Sequence, residues 1–256
     1  MQTVDQIGRT VVLPVPATRI VSLVPSQTEL LVGLGLEDRI VGVTKFCVHP
    51  DHLRKTKTIV GGTKQVHFHK IEALQPDFII CNKEENTEEM VAELERIAPV
   101  WVSDISTISH TVAMIQSFGQ FFNCKERGDA LVEQISEQLR DFKEFMSYKP
   151  VQRVAYVIWK DPWMIAGQDT FIQEMLRLNK FENITLPNSR YPEVNMVDLE
   201  AADVVLLSSE PYPFKKRHVS ELRNALSADV RLVDGEYFSW YGSRLIQAFD
   251  YFKTLH

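Results

Sequence analysis

Long apolar runs are missing from this chain of 256 residues, and none approaches the roughly 18 residues needed to cross a bilayer. Cysteine is scarce: Cys47, Cys81 and Cys124 make an odd, widely spaced set, which excludes a disulfide framework and suits free thiols in a reducing compartment. Basic excess is also lacking. The net charge is -6, with no basic face to neutralise phosphates, so general nucleic-acid binding is excluded. Lys215-Lys216-Arg217-His218 is the nearest approach to one, and it reads as a solvated helix start. No Gly-x-Ser-x-Gly elbow, phosphate loop or Gly-x-Gly-x-x-Gly fingerprint occurs. The first residues, Met1 to Arg9, lack the basic and apolar regions of a signal peptide, so the expectation is a cytoplasmic protein or one whose leader has been removed.

What is present is ordinary globular composition, 45% hydrophobic and 24% charged, arranged around one long polar segment. From Glu126 to Met146, apolar residues fall at Leu131, Ile135, Leu139, Phe142 and Met146, which places them on one helical face. Neither Pro nor Gly interrupts the run from Asp129 to Tyr148, and Pro150 stops it. Such a helix is about 30 Å long, too stiff for a flexible linker. On each side, short β-rich runs alternate with helical ones. Arg19 to Val24, Ile40 to Val43, Asp77 to Cys81 and Val100 to Val102 precede the helix, and Arg153 to Trp159, Asp203 to Leu207 and Val230 to Val233 follow it. Short apolar strands separated by helices predict parallel sheets covered on both faces. Ser26 is read as the N-cap of the first helix, with Glu29 at the capping-box position.

The run Arg19-Ile-Val-Ser-Leu-Val-Pro-Ser-Gln-Thr-Glu-Leu30 resembles the opening signature of the class III, helical-backbone substrate-binding proteins of ABC importers. Val41-Gly42-Val43, Ile71-Glu72-Ala73-Leu74-Gln75-Pro76-Asp77, the long helix and Asp203 to Leu207 follow in that family's order. The resemblance covers residues 18 to 255 and is strongest to the cobalamin and iron-complex branch. It implies an α/β fold of two Rossmann-like lobes with parallel sheets: residues 1–124, a backbone helix over 125–149, and residues 150–256. It further implies a binding protein, not an enzyme, that takes a small metal-containing or anionic ligand in an interlobe cleft. Corrinoid, haem and ferric siderophore are the ligand types implied, with no cofactor required. An ABC permease is the implied partner and the periplasm or cell envelope the implied place. Docking acids of that family align with His69 and Val197, although Glu72 and Asp198 lie close by. The loss of both charges would weaken steering to a permease. It leaves open a cytoplasmic ligand-handling protein, or an enzyme acting on a tetrapyrrole or metal complex, with Glu84, Glu85, Asp161, Glu210 and Glu236 as candidate acid or base groups.

In open α/β sheets, ligands are met by loops beyond the strand carboxyl ends. Those loops supply Lys45, Phe46, Lys83, Tyr191, Tyr212, Trp240, Tyr241 and Arg244 as candidate ligand contacts. Flat aromatic faces suit a corrin, porphyrin or catecholate, and Arg244 near a helix start suits an anionic group. The alternative is that the aromatics from Tyr237 to Tyr241 plug the lobe beneath the loop. The resemblance places Phe46 and Tyr191 at aromatic contact positions, and Thr63 and Asn82 where the cobalamin branch has tryptophans, which makes the first lobe more polar. Cys47-x-His49 is a candidate pair of soft metal ligands, although its spacing matches no standard zinc pattern.

Overall fold

The computed structural model describes residues 1–184 and 189–256, which form two compact units. The first comprises residues 1–136 and 241–244, and the second residues 137–240 and 245–256.

The first unit opens with a hairpin of β1 (Gln2–Val4) and β2 (Thr10–Val12). Next come β3 (Ile20–Ser22), α1 (Pro25–Gly33), β4 (Ile40–Val43), α2 (Leu53–Thr56), β5 (Thr58–Ile59), α3 (Phe68–Ala73) and β6 (Phe78–Asn82). The series continues through α4 (Glu88–Leu94), β7 (Val100–Ser103) and α5 (Ile108–Phe121). The parallel strand order is β5-β4-β3-β6-β7. Alternation along the strands assigns the two faces. Val21, Ile79, Cys81, Val100 and Val102 pack with Ile71, Met90, Val91 and Leu94 on one side. On the other, Phe78 and Trp101 meet Phe118, Phe121 and Phe122, with Phe78 and Phe122 centroids 5.3 Å apart and Trp101 and Phe118 5.4 Å apart. The hairpin turn caps the edge of β7: Gln6 donates its backbone N–H to Val102, and buried Asp5 accepts from the Val102 amide.

α6 (Lys125–Ser147) carries the chain from one unit to the other, the division falling inside the helix at Ser136 and Glu137. The second unit continues with β8 (Gln152–Trp159), β9 (Met164–Ile165), α7 (Phe171–Leu178), β10 (Phe181–Asn183), α8 (Met196–Glu200) and β11 (Val204–Ser208). It closes with α9 (Lys216–Arg223), β12 (Asp229–Val233), α10 (Glu236–Ser239) and α11 (Leu245–Lys253). The order β10-β8-β11-β12 is parallel, and β9 pairs antiparallel with β8. Ala155, Val157, Val205, Leu207 and Val230 pack with Leu199 and Leu222. Phe142 of α6 meets Phe249 and Phe252 of α11 at centroid distances of 5.5 and 5.9 Å, and Ile135 and Met146 of the same stripe are also buried. The fold is therefore two Rossmann-like α/β units joined by one long helix.

One local expectation is corrected. Pro25 begins α1 and Val24 is its N-cap, without a side-chain bond; Ser26 lies inside the first turn. Proline at the first helical position fixes the start one residue before the serine. Glu29 does not cap but faces Arg244.

Candidate functional site

A parallel sheet that grows first to one side of its opening strand and then to the other leaves a switch point, where the following loops diverge. In the first unit this lies between β3 and β6, and in the second between β8 and β11.

At the first switch point the strand ends are polar and buried. Asn82 donates from Nδ2 to Ser103 Oγ at 3.0 Å, and its Oδ1 accepts the amides of Glu84 and Glu85 at 2.8 and 3.2 Å. Gln27, at the start of α1, donates from Nε2 to Ser103 Oγ at 2.5 Å and to the Tyr241 hydroxyl at 3.0 Å. Asn86 accepts the Asn82 amide and donates to Thr63 O, both at 2.8 Å, and so ties the loop after β6 to the loop after β5. Burial pushes the Glu85 carboxyl above its usual range, against the opposing pull of Lys64. Outside this network, Phe46 is 48% exposed and the Lys45 ammonium sits 5.0 Å from its ring centroid. Lys83 is exposed and paired with Asp104 at 2.7 Å.

The second switch point is aromatic. Trp159 ends β8 at 41% exposure and meets Tyr212, from the loop after β11, edge to face at 5.6 Å. Tyr212 leans on Phe214 at 4.6 Å and on His218 at 5.6 Å. Lys160 lies 5.2 Å from the Trp163 ring and binds Glu221 of α9 at 2.5 Å. Tyr191 is 38% exposed.

The candidates thus separate. Lys45, Phe46, Lys83, Tyr191 and Tyr212 keep accessible surface on the carboxyl-end loops. Trp240, Tyr241 and Arg244 are each only 7% exposed. Trp240 donates its indole N–H to Glu210 Oε1 at 3.0 Å. Arg244 holds Glu29 with two hydrogen bonds of 2.9 and 2.7 Å, so its charge is matched within the protein. The neighbouring aromatics are packing groups: Phe238 lies in the core against Tyr156 at 4.8 Å, and Tyr237 stacks on Tyr251 at 4.5 Å.

Cys47 also turns inward. Its thiol is fully buried against the hydroxyls of Thr28 and Thr44, at 3.1 and 3.3 Å, and burial raises its pKa. Burial disfavours the thiolate that a soft metal ligand at Cys47-x-His49 would need. His49 is half-buried, and no group of three or more His, Cys, Asp or Glu side chains gathers for a metal among the described residues. His69 is exposed in the first turn of α3, and Val197 is 80% exposed in the first turn of α8. Glu72 is exposed, while Asp198 is engaged in the capping box of α8. Among the described residues no helix is long and apolar enough to cross a membrane.

Sequence reading placed Gln27 in a candidate loop, Val24 to Gln27, but missed Ser103 and Trp159, the latter passing as an ordinary strand end.

The chain is similar to several known proteins. An uncharacterized ABC transporter substrate-binding lipoprotein of Bacillus subtilis, YvrC, is 28% identical over 173 residues, 64% of this chain and 54% of that protein. The first curated relatives are matched over only 54% and 66% of their own length. Among solved structures, the periplasmic vitamin B12 binding protein BtuF of Vibrio cholerae superposes with a TM-score of 0.80 at 22% identity, covering 93% of this chain and 96% of that one. A periplasmic haem-binding protein from Pseudomonas aeruginosa gives 0.81 at 20% identity, covering 93% and 92%. These identities show a shared fold. The sequence pattern of the family described as periplasmic binding protein matches residues 20–223, and the chain belongs to that family of binding proteins.

Proposed function

We propose that this protein is the substrate-binding component of an ABC importer, acting outside the cytoplasmic membrane, and that its ligand is a flat metal complex bearing anionic oxygens, of corrinoid, haem or ferric siderophore type. The observation that carries this reading is the pairing of exposed aromatic faces with cations beyond the strand ends. Phe46 lies beside Lys45 in the first unit, and Trp159 and Tyr212 form an aromatic corner in the second. Stacking supplies apolar contact to a conjugated ring, and the ammonium groups pair with carboxylate or phenolate oxygens. Binding relatives named for vitamin B12 and haem support the same class. Selection rests on shape, stacking and charge, with no bond made or broken. An ABC permease is the partner this role requires.

The test is native mass spectrometry and absorption spectroscopy of protein purified from its own host, followed by titration with cyanocobalamin, haemin and a ferric catecholate. One of the three is expected to bind stoichiometrically and dissociate unchanged. Replacing Phe46 or Tyr191 by alanine should weaken it about tenfold in each case. Chemical turnover of the bound complex, or unaltered affinity in both variants, would overturn the assignment.

A further inference from the structure

The run Lys215-Lys216-Arg217-His218 opens α9, and its members part company there. Lys215, Lys216 and Arg217 are exposed, whereas His218 is only 4% exposed. Lys215 is the N-cap and His218 the third helical residue. In a capping box that third residue is Glu or Gln, whose side chain reaches back to the N-cap amide. Here an imidazole takes the part: Lys215 donates its backbone N–H to His218 Nδ1 at 2.9 Å. Arg217 Nε faces the other ring nitrogen, Nε2, at 3.2 Å. Both nitrogens therefore meet donors. A neutral imidazole has one lone pair to offer them, and an imidazolium has none.

Aromatic rings of the second unit complete the enclosure. Tyr212 meets the His218 ring at 5.6 Å, and Phe214 meets it edge to face at 5.4 Å. Phe214 immediately precedes the N-cap, so loss of the cap loosens the chain that carries both rings. Tyr212 in turn forms the aromatic corner with Trp159. The charged groups facing the imidazole are Lys215, Arg217 and Glu221 at α9 and Lys160 from the loop after β8. Three of these are cations, and Glu221 is already bonded to Lys160 at 2.5 Å. A proton on His218 would add a further cation at a helix N-terminus, where the backbone dipole favours anions. Burial first, and then the neighbouring cations, hold the imidazole below its usual range. Acidification below about pH 6.5 therefore acts against the cap.

We propose that His218 is a positioning residue: while neutral it caps α9 and seats Tyr212 against Trp159, and once protonated it releases that corner, so that the second unit's hold on a ligand weakens in acid. The ligand part rests on the binding role proposed above, and the seating of Tyr212 does not.

Nuclear magnetic resonance of the full-length, ligand-free protein from about pH 8 to about pH 5 tests it. The His218 ring signals should titrate with a midpoint below about pH 6.5. The Tyr212 ring signals should shift on the same midpoint, while those of Phe78 and Phe122 in the core of the first unit stay fixed. His218→Gln keeps a capping-box acceptor without a titrating group, and in it Tyr212 should lose its response to pH. Arg217→Gln removes a facing cation and should move the midpoint to higher pH. Tyr212 signals that stay constant down to about pH 5, or a response that survives in His218→Gln, would overturn the proposal. Titration with cyanocobalamin, haemin and a ferric catecholate separates the two readings. A complex formed at about pH 8 should weaken about tenfold by pH 5, and His218→Gln should be spared that loss. Equal weakening in parent and variant would overturn the ligand part. Absence of binding at pH 8 would overturn the binding role and the ligand part with it, while the ring signals still decide the seating of Tyr212.

Discussion

Asn82 uses both ends of its amide within the first unit. The oxygen holds two successive backbone N–H groups of the loop after β6, and the nitrogen donates to Ser103. Replacement by alanine leaves those loop amides without their acceptor in a site that is 3% exposed. Asn82→Ala is therefore expected to destabilise the fold by roughly 2 kcal/mol, measured as a lower urea midpoint with an unchanged slope. Loss below about 0.5 kcal/mol would mean that solvent replaces the amide freely. The polarity of Asn82 was legible in the sequence, but its role was not. The Glu84 and Glu85 amides are local, but Ser103 lies across on β7, and only the parallel register that sets Asn82 opposite Ser103 brings those two together. The same limit explains Arg244. Its helix-start position suggested an anion, and the carboxylate it holds stands 215 residues away on α1.

At the scale of elements, periodicity made α6 and β8 readable, because an amphipathic stripe and an apolar run each follow from local spacing. The apolar positions Ile135, Phe142 and Met146 are buried on α6 as that spacing requires. Short edge strands were silent: β5 and β10 hold two and three residues, too few to show a period. α8 was equally hidden, since five residues carry little pattern. Its existence rests on its start. Asn195 Oδ1 accepts the amides of Val197 and Asp198 at 2.8 and 3.1 Å, and Asp198 Oδ2 accepts the Asn195 amide at 2.8 Å. Asn195→Ala should cost about 1 kcal/mol and speed amide exchange at Val197 and Asp198 before any change appears in β11. Equal exchange in variant and parent would show that packing of Leu199 alone sustains the helix.

At the scale of the whole molecule, both units bury groups whose ionisation that burial disfavours. Burial raises the thiols of Cys47 and Cys81 in the first unit and the phenols of Tyr156 in the second and Tyr241 in the first. Hydroxyl bonds from Thr28 and Thr44 oppose the shift at Cys47 without reversing it. An exposed thiol titrates near pH 8.5 and an exposed phenol near pH 10. Above those values the unfolded chain gives up protons that the folded chain retains, so the unfolded state binds fewer and stability falls as pH rises. Below about pH 8 the contribution is complete. Above about pH 9 the thiols drive this loss, and the phenols steepen it beyond about pH 10. Urea unfolding followed from pH 7 to 10.5 should show this decline, and Cys81→Ala should make it shallower between pH 9 and 10. A stability that stays level to pH 10 would mean that the strand ends admit water to these groups, and with it that the interiors of the two units are looser than their packing implies.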